Sequence, residues 1–226
     1  MENLTFKQAA EEDIDFVIEA IIEADKAGSK VISMCNVFEL SEEEYKKILK
    51  DVLAMDVEDY DFYLSGFLIC KSGDEYVGAA GSWLEGAEGI ASGTIKTSIL
   101  FPYLMEENIE SIKKNLLTIK EIGLKRDFGA MQLEYVYVRE KYRGCGIFYQ
   151  IAARIIKRNL RKYSFTKVQS ELVKNNYKSF SAFSKFGFKL ADEKGTANPE
   201  ILKFFSDSTR ILMELDKENI EKIKNF

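Results

Sequence analysis

The sequence predicts an α/β (α+β) protein, a mixed sheet with helices packed against it. Three observations point there. Strand-like and helix-like runs follow one another along the chain. Residues 133–148 read as an alternating strand, a short polar turn, a glycine-containing loop and the start of a long amphipathic helix. Finally, 226 residues with 46% hydrophobic and 31% charged content are enough for one large folded unit, and two prolines with no low-complexity tract leave no obvious linker. One domain over residues 1–226 is therefore expected.

Leu4 to Gln8 suits a first strand. Glu12 to Ala27 reads as an amphipathic helix whose apolar side carries Ile14, Phe16, Val17, Ala20, Ile21 and Ala24. A second helix runs from Ser41 to about Met55, opened by a capping box in which Ser41 is the N-cap and Glu44 the third helical residue. Tyr63 to Lys71 and Tyr76 to Leu84 are strand-like, and Ser72-Gly73-Asp74-Glu75 between them suits a hairpin turn. Residues 85–129 begin Gly-rich and contain a helical stretch from about Glu107 to Ile122. The strand 131–138 follows, then a helix over Cys145 to Tyr163 with Ile147, Ile151, Ile155 and Ile156 as its apolar stripe. Thr166 to Val173 is a strand and Asn176 to Phe186 a helix stopped by Gly187. Phe188 to Asp192 and Arg210 to Leu215 are strands separated by a long loop, 193–209.

Residues 143–148, Arg-Gly-Cys-Gly-Ile-Phe, lie where a strand hands over to a helix. The first amides of a helix have no intrahelical partner, and the helix dipole favours negative charge there. Gly144 and Gly146 let a ligand approach the backbone closely. The expectation is a phosphate or pyrophosphate cradle. It is not a Walker A loop, which would need Gly-Lys-Ser/Thr, and it lacks the third glycine of a dinucleotide fingerprint.

Two motifs give the cradle a family context. The loop resembles the acyl-CoA motif of the GNAT superfamily (GCN5-related N-acetyltransferases), Gln/Arg-x-x-Gly-x-Gly/Ala. Arg143 and Gly146 match it, while Phe148 departs from the usual Gly or Ala. Residues 176–188 are similar to the second signature, Asn-x-x-Ala-x-x-x-Tyr-x-Lys-x-Gly-Phe. Asn176, Ser179, Lys185, Gly187 and Phe188 fall in register, and Phe183 stands where the family usually has Tyr. Asn176 could equally be a plain helix N-cap, and Gly187 a plain C-terminal glycine. The resemblance is strong over about 128–190 and weaker elsewhere. It implies a GNAT-type, mostly antiparallel mixed sheet, with 85–129 as an insertion.

The resemblance also implies acyl transfer from acetyl-CoA to an amine; no metal is expected, since the chain has no histidine and no CxxC pair. Arg143, Gly144, Cys145, Gly146, Ile147 and Phe148 would hold the pyrophosphate. Backbone groups of Val136 and Val138 would hold the pantetheine arm, the Val136 N–H would serve as oxyanion donor, and Asn176 and Phe183 would border the cofactor. Strand alternation puts Gln132, Glu134, Val136 and Val138 on one face, which makes Glu134 the candidate base, against a plain strand-surface charge. The family's catalytic Glu, where present, aligns with Gln132. Glu171 on the neighbouring strand is a weaker candidate. Tyr135 and Tyr137 should face the opposite side and pack in the core. Cys145 reads as a small packing residue, and Trp83 either lines the acceptor site or packs in the core. A phenyl ring at 183 cannot protonate a departing thiolate. The alternative reading is therefore a non-catalytic acyl-CoA-binding module; transfer to a hydroxyl is a third.

Composition narrows the remaining classes. There is no histidine, so no imidazole base, ligand or triad member exists. Three cysteines, Cys35, Cys70 and Cys145, form no CxxC pair and suggest reduced thiols in a cytoplasmic protein. The first residues lack a basic stretch followed by an apolar run, and no apolar run approaches the ~20 residues of a bilayer span. Residues 139–162 carry seven net positive charges in a chain of net charge −5. They either form a solvated helix face or draw in a polyanionic cofactor. The expected partner is a small-molecule or peptide amine, with no nucleic acid and no membrane, in a monomer or homodimer.

Overall fold

The computed structural model describes residues 4–27 and 29–224. Seven strands form one sheet: β1 (Leu4–Gln8), β2 (Leu68–Ser72), β3 (Glu75–Leu84), β4 (Met131–Val138), β5 (Val168–Val173), β6 (Lys189–Gly195) and β7 (Thr209–Leu215). Their spatial order is β1-β2-β3-β4-β5-β7-β6. Every neighbouring pair is antiparallel except β4 and β5. The helices are α1 (Ile14–Lys26), α2 (Ser33–Phe38), α3 (Glu42–Ala54), α4 (Ser92–Leu100), α5 (Ile109–Lys120), α6 (Ile147–Leu160), α7 (Tyr177–Phe186) and α8 (Lys217–Lys224).

The sheet separates two cores. Helices α1 to α5 cover one face, where Val17, Ile21, Leu49 and Leu53 are fully buried. Helices α6 to α8 cover the other. There the Ile147, Ile151, Ile155 and Ile156 stripe is buried, as its helical spacing predicts. Removing one of these side chains to the β-carbon costs about 2–5 kcal/mol. The Ser41 cap forms as expected: its Oγ accepts the Glu44 N–H (3.2 Å) and Glu44 Oε2 accepts the Ser41 N–H (2.8 Å).

Several elements differ from the sequence expectation. Residues 63–67 are not strand; the chain makes a short 3-10 turn at Leu64–Gly66 before β2. The 85–129 segment holds an additional helix, α4. Residues 193–209 are less loop-like than expected, since β6 runs to Gly195 and Pro199–Lys203 is a 3-10 helix. Helices α2 and α8 also go beyond the expectation. Among the described residues no helix is long and apolar enough to cross a membrane.

Two features of β4 position the site. It pairs with β5 only at Met131↔Val168 and Gln132↔Gln169, after which the ladder ends and the strands split. It also carries a bulge. The register runs Ala79↔Tyr137 but Gly81↔Glu134, so β4 has one extra residue opposite β3. Tyr135 absorbs it with φ +52°.

Candidate functional site

The bulge corrects the expected geometry of β4. An extra residue reverses the alternation. Met131 and Leu133 pack into the α6–α8 core, yet Tyr135 and Tyr137 pack against the α1–α5 core, and Val136 and Val138 return to the α6–α8 side. Glu134 and Val136 therefore do not share a face. Glu134 sits on the side of the two tyrosines, which do pack in the core as expected. Their hydroxyls bond to acids: Tyr135 to Asp61 (3.3 Å) and Tyr137 to Glu19 (3.1 Å).

The backbone of β4 is aimed at the split. The Met131 N–H donates to Lys167 O on the β5 side, whereas the Arg139 N–H donates to Val77 O on β3. Counting back from Arg139 by strand alternation, the N–H and C=O of Val138 and Val136 face away from β3, toward β5. No β5 ladder meets them there. The Val138 carbonyl accepts instead from Arg143 Nε (3.0 Å), which ties the strand end to the loop.

The loop has the shape of an anion cradle. Gly144 (φ +79°) and Gly146 (φ +73°) are both left-handed, and a β-carbon built on either would meet nothing within 4 Å. The space above them is open, and only the backbone conformation demands glycine. Gly146 caps α6 with no side-chain bond, so the first amides of that helix, from Ile147 and Phe148 onward, keep no side-chain acceptor. Cys145 is exposed, which overturns its expected packing role. Asn176 caps α7, accepting the Ser179 N–H (3.2 Å), and Gly187 (φ +119°) ends it. Phe183 is buried, its ring 4.9 Å from both Phe148 and Phe188. Thus Phe148 replaces the small residue of the motif with a ring that leans on Phe183.

Much of the basic stretch is used internally. Arg139 pairs with Glu19, Lys141 with Glu75 and Lys162 with Glu58. Arg158 donates to the Ser65, Gly66 and Phe67 carbonyls.

Behind the split lies a group of acids that the sequence expectation only partly anticipated. Glu134 Oε1 accepts the Glu171 N–H (2.8 Å) and lies 3.7 Å from Arg126 Nη2. Its side chain is 14% exposed. Burial pushes its carboxyl up, to about 7, against the pull of Arg126 and with the Glu171 charge adding to the rise. Glu171 goes the other way: despite burial, Arg210 and Arg126 hold it below the ordinary range. Of the two candidate bases, Glu134 is the one poised to exchange a proton near neutrality. Asp61, Lys96 and Arg126 belong to no recognisable motif. Trp83 is buried and donates to Glu85 (3.1 Å), the core role rather than an acceptor wall.

The chain has a GNAT fold, as the two motifs led one to expect. It is similar to an N-acetyltransferase from Staphylococcus aureus Mu50 at 14% identity, covering 93% of this chain and 100% of that one (TM-score 0.60). It is similar to YncA from Salmonella typhimurium, solved with its cofactor acetyl-CoA, at 13% identity over 96% and 95% (TM-score 0.54). The aminoglycoside acetyltransferase AAC(6')-Ib, solved with coenzyme A, resembles it at 14% identity over 97% and 98% (TM-score 0.54). No protein-family model and no curated protein sequence matches the chain.

Proposed function

We propose that this protein is an acyl-CoA-dependent N-acyltransferase that moves an acetyl group from acetyl-CoA to the primary amine of a small molecule or peptide. The observation that carries the reading is the split between β4 and β5. It brings together Val136 and Val138 backbone groups that no β5 strand pairs, the open glycine cradle at the start of α6, and a buried carboxyl that titrates near neutrality.

Acetyl-CoA supplies the activated acyl group when bound. The residues of this chain divide the remaining work. Amides of Gly144 to Phe148 hold the pyrophosphate, with the α6 dipole behind them. The Val136 N–H is directed where negative charge grows on the acyl oxygen, and a preset donor there lowers the barrier. Glu134, directly or through water, takes the proton that the amine gives up. Asn176 and the Phe183 ring border the bound cofactor.

Release of free CoA thiol, measured over a panel of amines, tests the proposal. Thiol release that depends on both acetyl-CoA and an amine supports it. Tight CoA binding without release over the whole panel would favour a non-catalytic acyl-CoA-binding module, the reading to which the buried Phe183 lends weight.

A further inference from the structure

Arg126, from the 85–129 segment, occupies the centre of the acid group. Its Nε donates to Glu171 Oε1 (2.9 Å) and its Nη1 to Ser92 Oγ (3.3 Å). Nη1 lies 3.7 Å from Asp61 Oδ1, Nη2 lies 3.7 Å from Glu134 Oε1, and the guanidinium stands 5.1 Å over the Trp83 ring. Glu85 is joined through Ser92, whose N–H and Oγ donate to the two Glu85 oxygens (2.9 and 2.7 Å). One guanidinium thus serves, directly or through one hydroxyl, carboxylates from the 55–67 segment, β4, β5 and the turn after β3.

The surrounding charges do not cancel. Four carboxylates face the group: Asp61, Glu85, Glu134 and Glu171. Three cations answer them: Arg126, Lys96 on Asp61, and Arg210 on Glu171. Neutrality needs one further proton or cation. Asp61 and Glu171 hold direct ion pairs, and Glu85 accepts three hydrogen bonds from Ser92 and Trp83. Among the described residues Glu134 has only one backbone N–H and the more distant edge of Arg126. The leftover proton therefore belongs on Glu134, just past the point where β4 and β5 part.

We infer that Arg126 is a positioning residue for Glu134. It is the shared counter-ion that fixes the Glu134 carboxyl beside the Glu171 amide and keeps the buried charge one proton short of neutral. The segment inserted between β3 and β4 is thereby part of the acyl-transfer machinery. The inference rests on the proposed activity for its consequence, but its physical content is readable without turnover.

The test uses the full chain with Arg126→Met, Arg126→Lys and Arg126→Met/Glu171→Gln. Two readouts are taken: the carboxyl 13C titration of Glu134, assigned with Glu134→Gln, and the pH profile of kcat. Loss of the guanidinium should move the Glu134 midpoint up by about one pH unit, which lowers the ionised fraction and with it kcat at pH 7 roughly fivefold. Arg126→Lys should recover most of that shift. The double variant removes one charge of each sign, so its midpoint should lie near that of the parent even if the single Met variant fails to fold. KM for acetyl-CoA should not move. A midpoint unchanged in Arg126→Met overturns the inference, as does a double variant shifted by a full unit. If the parent protein turns over no amine while these midpoints move as expected, the activity is wrong and the Arg126 assignment stands.

Discussion

Replacing Gly146 with Asp tests the cradle. Gly146 has φ +73°, and no atom lies within 4 Å of the added β-carbon, so the substitution meets no steric wall. It brings backbone strain of about 1 kcal/mol and a negative charge among the amides proposed to hold the pyrophosphate. In a chain of this size 1 kcal/mol corresponds to ~2–4 °C in Tm. Acetyl-CoA at a hundredfold excess over its Kd should stabilise the parent by about 2.7 kcal/mol, a rise of roughly 5–11 °C. Gly146→Asp should melt a few degrees lower and show no rise with CoA. Gly146→Ala separates the causes, since it carries the strain without the charge and should keep most of the shift. Thermal melts with and without CoA read all three proteins. A parent without a shift, or a Gly146→Asp protein that keeps one, would refute the loop assignment.

Four further outcomes follow from the structure. Turnover at saturating amine should climb as pH rises through about 7, where Glu134 loses its proton, and Glu134→Gln should flatten that limb. The same shift has a stability signature. The folded state holds this proton more tightly than the unfolded chain, so stability falls as pH rises from the ordinary carboxylate range through about 7; Glu134→Gln should gain roughly 2–3 kcal/mol at pH 8 in denaturant titrations and little at pH 4. Phe183→Tyr should raise kcat with acetyl-CoA affinity nearly unchanged, because a hydroxyl helps the departing thiolate mainly in the transition state; a lower kcat would mean that another residue already supplies the acid. Arg158→Ala should cost about 2–4 kcal/mol in chemical denaturation, by stripping donors from the Ser65 to Phe67 carbonyls, and leave CoA affinity intact; a lost affinity would restore a cofactor-gathering role to this part of the basic stretch.

The sequence carried the elements with strong periodicity. The isoleucine stripe of α6, the Ser41 and Asn176 caps and the Gly73-Asp74 turn announce themselves through local chemistry. The left-handed loop before α6 does too, because left-handed backbone at the start of a helix needs residues like Gly144 and Gly146. Helix α4 did not, since Ser-Gly-Thr-Ile-Lys-Thr is rich in residues that are poor helix formers and lacks a clear apolar stripe. The β4 bulge was hidden for a different reason. Its left-handed residue is Tyr135, not a glycine, and only pairing against β3 reveals the extra residue. That single residue decides whether Glu134 shares a face with Val136. Arg126 was invisible as well: it stands in an unpatterned polar run, and its partners at 61, 85, 134 and 171 meet only in three dimensions.

A co-crystal structure with acetyl-CoA tests the central claim most directly. The account predicts the pyrophosphate on the amides of residues 144–148, the pantetheine arm in the split between β4 and β5, and the acyl oxygen within hydrogen-bond distance of the Val136 N–H. Acetyl-CoA seated anywhere else on the chain, or with its acyl group turned away from Val136 and Glu134, would contradict it.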